Sequence, residues 1–123
     1  QKEGNILVTT GTKSLSELVM AVEDKERLIV RILPNSSMLA FCEELGLLGK
    51  QIICMQGPFS EEMNYLIMKE KNIRYLLTKE SGSQGGFQEK INAAGRAKAT
   101  TLIIKRPEET GYSIEMVKKM LLK

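Results

Sequence analysis

The chain has 123 residues, with 18 lysines and arginines against 15 acids, a length that suits one domain rather than two. Its 42% hydrophobic and 27% charged residues are those of an ordinary folded protein and set aside disorder, collagen and coiled coil. A net charge of +3 with no histidine argues against nucleic acid as partner and excludes Ser-His-Asp catalysis, zinc-protease motifs and histidine-ligated haem.

In chain order, Asn5–Thr10 (NILVTT) reads as a first buried strand, followed by the turn Thr10-Gly11-Thr12-Lys13-Ser14. Leu15, Leu18, Val19 and Val22 then fall at helical spacing, and Ser14 with Glu17 predicts a capping box at that helix start. Leu28–Leu33 (LIVRIL) is the second strand, leading through Pro34-Asn35-Ser36-Ser37 into a helix marked by Met38, Cys42 and Leu45 and ended by Gly46. Gln51–Met55 is the third strand. After Gln56-Gly57-Pro58-Phe59-Ser60, a helix beginning at Ser60-Glu61-Glu62 carries Met63, Leu66 and Ile67. Arg74–Thr78 is the fourth strand, and beyond a glycine-rich turn Phe87, Ile91 and Ala94 mark its helix. Thr100–Lys105 is the fifth, with Ile114, Val117 and Leu121 on a last helix.

Most of these strand runs are continuously apolar, the pattern of strands covered on both faces. The β-α alternation with short joins predicts an α/β fold, a doubly wound, five-stranded parallel sheet of Rossmann-like or flavodoxin-like form with helices on both faces. Residues 1–123 read as a single domain, and a flavodoxin-like strand order, 2-1-3-4-5, is the default expectation. No apolar run approaches the roughly 20 residues that span a bilayer, and no signal-peptide pattern opens the chain. Cys42 and Cys54 both fall in apolar stretches and read as buried thiols of a reducing compartment, here the cytoplasm; no metal site is expected.

In such a sheet, ligands bind outside the carboxyl ends of the strands. The turn after strand four is the most informative. Gly82, Gly85 and Gly86 allow backbone N–H groups to approach an anion ahead of a helix N-terminus, and Lys79 and Ser81 add a charge and a hydroxyl. Neither a dinucleotide fingerprint nor a Walker loop can be laid over these turns. Lys13, Lys79 and Arg106 together would make an electropositive rim. Pro58 constrains the turn after strand three, where Phe59 fits either a hydrophobic ligand edge or a staple packed on the next helix near Met63 and Asn64. The staple is the simpler reading.

Taken together, Met55-Gln56-Gly57-Pro58-Phe59-Ser60, Thr78-Lys79-Glu80-Ser81-Gly82 with Gly85-Gly86-Phe87, Glu89-Lys90 with Ala93-Ala94, and Lys105-Arg106-Pro107 closely resemble the precorrin-6A reductase family. The opening Thr9-Thr10-Gly11-Thr12-Lys13 and the strand end Ile32-Leu33-Pro34 match as well. The resemblance spans essentially the whole chain but only the carboxyl-terminal half of the family's two Rossmann-like halves. It implies a cobalamin-pathway reductase in which NADPH or NADH delivers hydride to precorrin-6A or its cobalt-containing equivalent, in a cleft between the halves.

On that basis Thr10, Gly11, Lys79, Ser81, Gly82, Gly85 and Gly86 are expected to hold the cofactor. Gln56, Gly57, Pro58, Phe59, Ser60, Lys13 and Arg106 are expected to face the tetrapyrrole substrate. No side chain is singled out as catalytic, because the hydride chemistry belongs to the cofactor. The implied partners are the substrate and the amino-terminal half, with no nucleic acid or membrane, and the isolated domain is expected to be inactive. The competing expectation is a non-catalytic nucleotide- or sugar-phosphate-binding regulatory module of flavodoxin-like fold.

Overall fold

The computed structural model describes residues 4–10, 12–79 and 86–104. Within them β1 (Asn5–Val8), β2 (Leu28–Ile32), β3 (Ile52–Cys54), β4 (Ile73–Lys79) and β5 (Thr100–Ile104) alternate with four helices. These are α1 (Thr12–Ala21), α2 (Ser36–Glu44), α3 (Glu61–Glu70) and α4 (Phe87–Arg96). The expected last helix on Ile114, Val117 and Leu121 lies outside the described residues.

Every strand pairing is parallel, and the order is β3-β2-β1-β4-β5. This replaces the flavodoxin-like order. β3 docks outside β2, with Val30 opposite Ile52 and Ile32 opposite Cys54. The α3 crossover then carries the chain back past β2 and β1, so that β4 pairs on the free side of β1, with Leu7 opposite Leu76. The strand order therefore reverses between β1 and β4. The position of β3 at the sheet edge also corrects the expectation for the cysteines. Cys42 is buried, and packing drives its thiol up in pKa, whereas Cys54 at the edge is exposed.

Right-handed crossovers in opposite directions place α1 and α2 on one face and α3 and α4 on the other. The cores follow. Ile6, Val8, Leu28 and Val30 pack with Leu15, Leu18 and Val22 of α1 and Cys42 of α2. Leu7, Ile29 and Leu76 pack with Met68 of α3 and Ala93 and Ala94 of α4. The strict alternation of Ile6, Leu7 and Val8 between two cores is why these strands carry apolar residues without interruption.

Helix ends are set by local chemistry. Asn35 Oδ1 accepts from the Ser37 and Met38 amides, and Ser60 Oγ from that of Met63 at 3.0 Å. α2 ends as expected at Gly46, whose φ of 93° suits glycine. There the Leu47 amide donates to Cys42 O and the Gly46 amide to Glu43 O, with Leu47 buried over Cys42. The Ser14–Glu17 box is not the start of α1, because Thr12 and Lys13 are already helical and Ser14 is buried in the first turn.

Leu77, wholly buried beneath α1 and α2, tests this packing. Leu77→Ala is expected to lower the unfolding free energy by about 3 kcal/mol, read as a shift in the urea midpoint with unchanged slope.

Candidate functional site

The reversal between β1 and β4 leaves a crevice at the carboxyl edge of the sheet, the place where ligands bind in open α/β folds. Strand alternation decides what faces it. Leu7, Ile29 and Leu76 point to the α3/α4 face, so Thr9, Arg31 and Thr78, two residues further on, lie on that face at its carboxyl end. There α4 inserts Lys90. Its Nζ donates to Thr78 Oγ1 at 2.7 Å and to Thr9 Oγ1 at 3.0 Å, bridging the ends of β4 and β1 across the switch point. The two hydroxyls donate in turn to Lys79 O and Leu77 O. With their protons used on the backbone, they present lone pairs to the ammonium.

Arg31 stands beside it on β2. Its Nη1 donates to Asn64 Oδ1 at 2.7 Å, and Asn64 Nδ2 donates to Ser60 O at 2.9 Å. The guanidinium carbon lies 4.1 Å from the centre of the Phe59 ring. Phe59 therefore sits under a cation rather than as a simple staple, and the arginine ties the turn after β3 to the start of α3.

Arg31 is 8% exposed and Lys90 7%, and the buried polar residues described include no carboxylate. Burial of an unpaired cation penalises its charged form. Burial lowers Arg31 to about 10. Burial first, and then the nearby Arg31 charge, lower Lys90 to about 8. The ion pairs described lie elsewhere, on the surface. There Arg96 bonds Glu61 and Glu62 across α3 and α4, over the Tyr65 ring, and holds Glu62 below the usual carboxylate range.

The expected site residues gather at this edge only in part. Thr10 is half-buried at the end of β1. Gly86 caps α4 in the left-handed region (φ 71°), and a Cβ added there would lie 3.7 Å from Phe59 O, so the α4 start and the Gln56–Ser60 turn adjoin. Gln56, Gly57, Pro58 and Ser60 are exposed, and the Gly57–Pro58 bond is cis. Lys79 is exposed at the end of β4, but strand alternation turns it to the opposite face from Thr78 and Lys90. Gly11, Ser81, Gly82, Gly85 and Arg106 lie outside the described residues, as does the side chain of Lys13.

Sequence reasoning passed over Arg31, Asn64 and Lys90 as site residues. Signals for two of them existed: a charge inside the buried run LIVRIL, and a lysine three residues after Phe87 and four before Ala94, on the apolar stripe of α4. By contrast, in a hollow of about 340 Å³ at the amino edge, lined in part by Asn5, Gln51 and Lys71, the Asn5 and Gln51 amides are spent on backbone carbonyls. Asn5 donates to Lys71 O, and Gln51 to Lys25 O and Leu28 O.

The lowered Lys90 value sets the sign of a stability test. An ammonium at about 8 when folded and 10.5 otherwise destabilises the fold below pH 8, and the penalty fades as pH rises to 10.5. Lys90→Met is therefore expected to be more stable than the parent at pH 7, by about 2 kcal/mol. Urea unfolding from pH 7 to 10.5 checks this: the difference between the two proteins is expected to shrink steadily above pH 8.

Among known proteins, the family model described as precorrin-6x reductase CbiJ/CobK matches residues 2–122. The cobalt-precorrin-6A reductase of Methanococcus maripaludis is 43% identical over 105 residues, covering 85% of this chain and 40% of its own length. That of Methanothermobacter thermautotrophicus is 37% identical over 103 residues (84% and 34%), and that of Priestia megaterium 36% over 111 (88% and 43%). The chain thus spans well under half the length of these relatives. A solved structure, CobK precorrin-6A reductase, shares the fold with a TM-score of 0.60 at 16% identity, covering 96% of this chain and 47% of that one. A family model that runs from end to end of the chain, and relatives above 30% identity over most of it, lead to one conclusion: this chain belongs to the precorrin-6x reductase CbiJ/CobK family.

Proposed function

We propose that this chain is the carboxyl-terminal domain of a reductase that transfers hydride from NADPH or NADH to precorrin-6A or cobalt-precorrin-6A. The observation that carries the reading is the basic crevice at the switch point, where Lys90 joins the ends of β1 and β4 in a chain of this family.

The donor set suits a nicotinamide nucleotide. The α4 N-terminus opens on a glycine in the left-handed region, which leaves backbone N–H groups free of a Cβ beside the crevice. Thr10, Lys79 and Gly86, with Gly11, Ser81, Gly82 and Gly85, are the groups we assign to the nucleotide. The Gln56–Ser60 turn, with Lys13 and Arg106, is assigned to the tetrapyrrole and its carboxylates. The bound nicotinamide supplies the hydride. The chain's own residues bind and orient. Arg31 fixes the Gln56–Ser60 turn through Asn64 and Phe59, and a fixed turn presents the macrocycle in one attitude. The preceding half of the reductase supplies the other wall, so turnover belongs to the two halves together.

The test joins this chain to the preceding segment of the Methanococcus maripaludis relative and follows nucleotide absorbance with cobalt-precorrin-6A. Substrate-dependent oxidation of NADPH or NADH is expected; a folded two-half protein without it contradicts the reading. In the same protein Lys79→Ala is expected to weaken nucleotide binding about tenfold, the scale of one lost charge-assisted contact. Unchanged affinity would remove Lys79 from the cofactor set.

A further inference from the structure

Tying the turn after β3 and bridging β1 to β4 give Arg31 and Lys90 positions, but not a use for their charge. Two cations, each more than nine-tenths buried, share one crevice and meet no acid among the described residues. Folding an uncompensated pair of like charges is unfavourable, and neutral residues of similar volume would pack at lower cost. The described groups around the pair do not neutralise it. β1 and β4 offer the Thr9 and Thr78 hydroxyls, α3 offers the Asn64 amide, and the turn after β3 offers the Phe59 ring.

These contacts instead orient the pair. Asn64 takes Nη1 of Arg31, and Phe59 covers one face of the guanidinium. Among the described residues no acceptor meets its Nε and Nη2, nor the third N–H of Lys90. A guanidinium edge and an ammonium proton held together, with no acceptor among the described residues, are the donors that a carboxylate or phosphate takes.

We propose that Arg31 and Lys90 together form the receptor for one oxyanion group of the ligand, seated across the β1/β4 switch point. The inference rests on the reductase reading for its two sources of that group, a phosphate of the nucleotide or a side-chain carboxylate of the tetrapyrrole. Burial, and then the Arg31 charge, hold Lys90 at about 8; an anion beside it moves the ammonium back toward its ordinary range, so binding near pH 8 takes up a proton. Arg31 is the charged group that moves Lys90.

Isothermal titration calorimetry tests this on the 123-residue chain, its Lys90→Met and Arg31→Lys variants, and three probes: inorganic pyrophosphate, NADPH and the polycarboxylate uroporphyrin. Circular dichroism controls for folding. At least one probe is expected to bind with net proton uptake at pH 8, seen as a heat that varies with buffer ionisation enthalpy. Its affinity is expected to fall about tenfold from pH 7 to pH 9. Lys90→Met is expected to lose the uptake and the pH dependence and to bind at least tenfold more weakly, with Arg31→Lys intermediate. Uptake with NADPH and pyrophosphate identifies the phosphate source; uptake with uroporphyrin alone identifies the carboxylate. Lys90-dependent uptake with pyrophosphate, while NADPH and uroporphyrin fail to bind even the two-half protein, keeps the oxyanion receptor and contradicts the reductase reading. Binding unaltered in both variants, binding without proton uptake, or no binding of any probe overturns the proposal.

Discussion

A buried ammonium held between two threonine hydroxyls is the constraint around which the carboxyl edge of this domain is arranged. Lys90 reaches Thr9 and Thr78 only because β4 pairs directly with β1, and that pairing exists only because β3 docks outside β2 and α3 crosses back over both. The hydroxyls accept from the lysine because their own protons go to backbone carbonyls. Topology, register and hydrogen-bond polarity therefore converge on one nitrogen. Arg31 makes the position less favourable still, since a second buried cation lies close enough to lower the first. Such a cost, borne where open α/β sheets bind ligands and met by no acid among the described residues, is the ground for the proposed oxyanion.

Much of the fold was legible in the sequence. The runs NILVTT and LIVRIL have no alternation because each strand feeds two cores, and residues such as Ile6 and Leu7 divide between them. Gly46 and Ser60 act locally, through a left-handed φ or a side-chain oxygen, and so were readable from residue type and place. Strand order was not. Which strand lies beside β1 depends on the crossover of α3 over the whole sheet, and no residue in β3 or β4 encodes a neighbour by its identity. Cys54 shows the same limit: its apolar surroundings in QIICM suggested burial, but its exposure is decided by β3 being an edge.

The sheet edge where the candidate site is built was legible as the carboxyl ends of the strands; Arg31, Asn64 and Lys90 were not. Sequence reasoning followed glycines and exposed lysines, because turn residues and surface charge are the usual marks of a βα-loop site. Gly86 and the Phe59 turn do adjoin. Lys79, however, turns away from the face that carries Lys90, as strand alternation after Thr78 requires. Arg31 and Lys90 were hidden by the elements that hold them. A basic residue within a buried strand or on a helix's apolar stripe reads as an interruption of a pattern, and only tertiary contact reveals two such interruptions meeting. The relatives that carry the family membership extend well beyond this chain, and the proposed function reads the crevice as one wall between two halves.

The central claim is that Lys90 is a desolvated cation held beside Arg31. It is tested most directly by titrating the Lys90 side chain itself, following its Cε and Nζ resonances by NMR from pH 6 to 11 in the chain without ligand. The expected midpoint is near 8 and moves up when Arg31 is replaced by methionine. A midpoint near the ordinary lysine value of 10.5, unmoved by the Arg31 replacement, would contradict that claim.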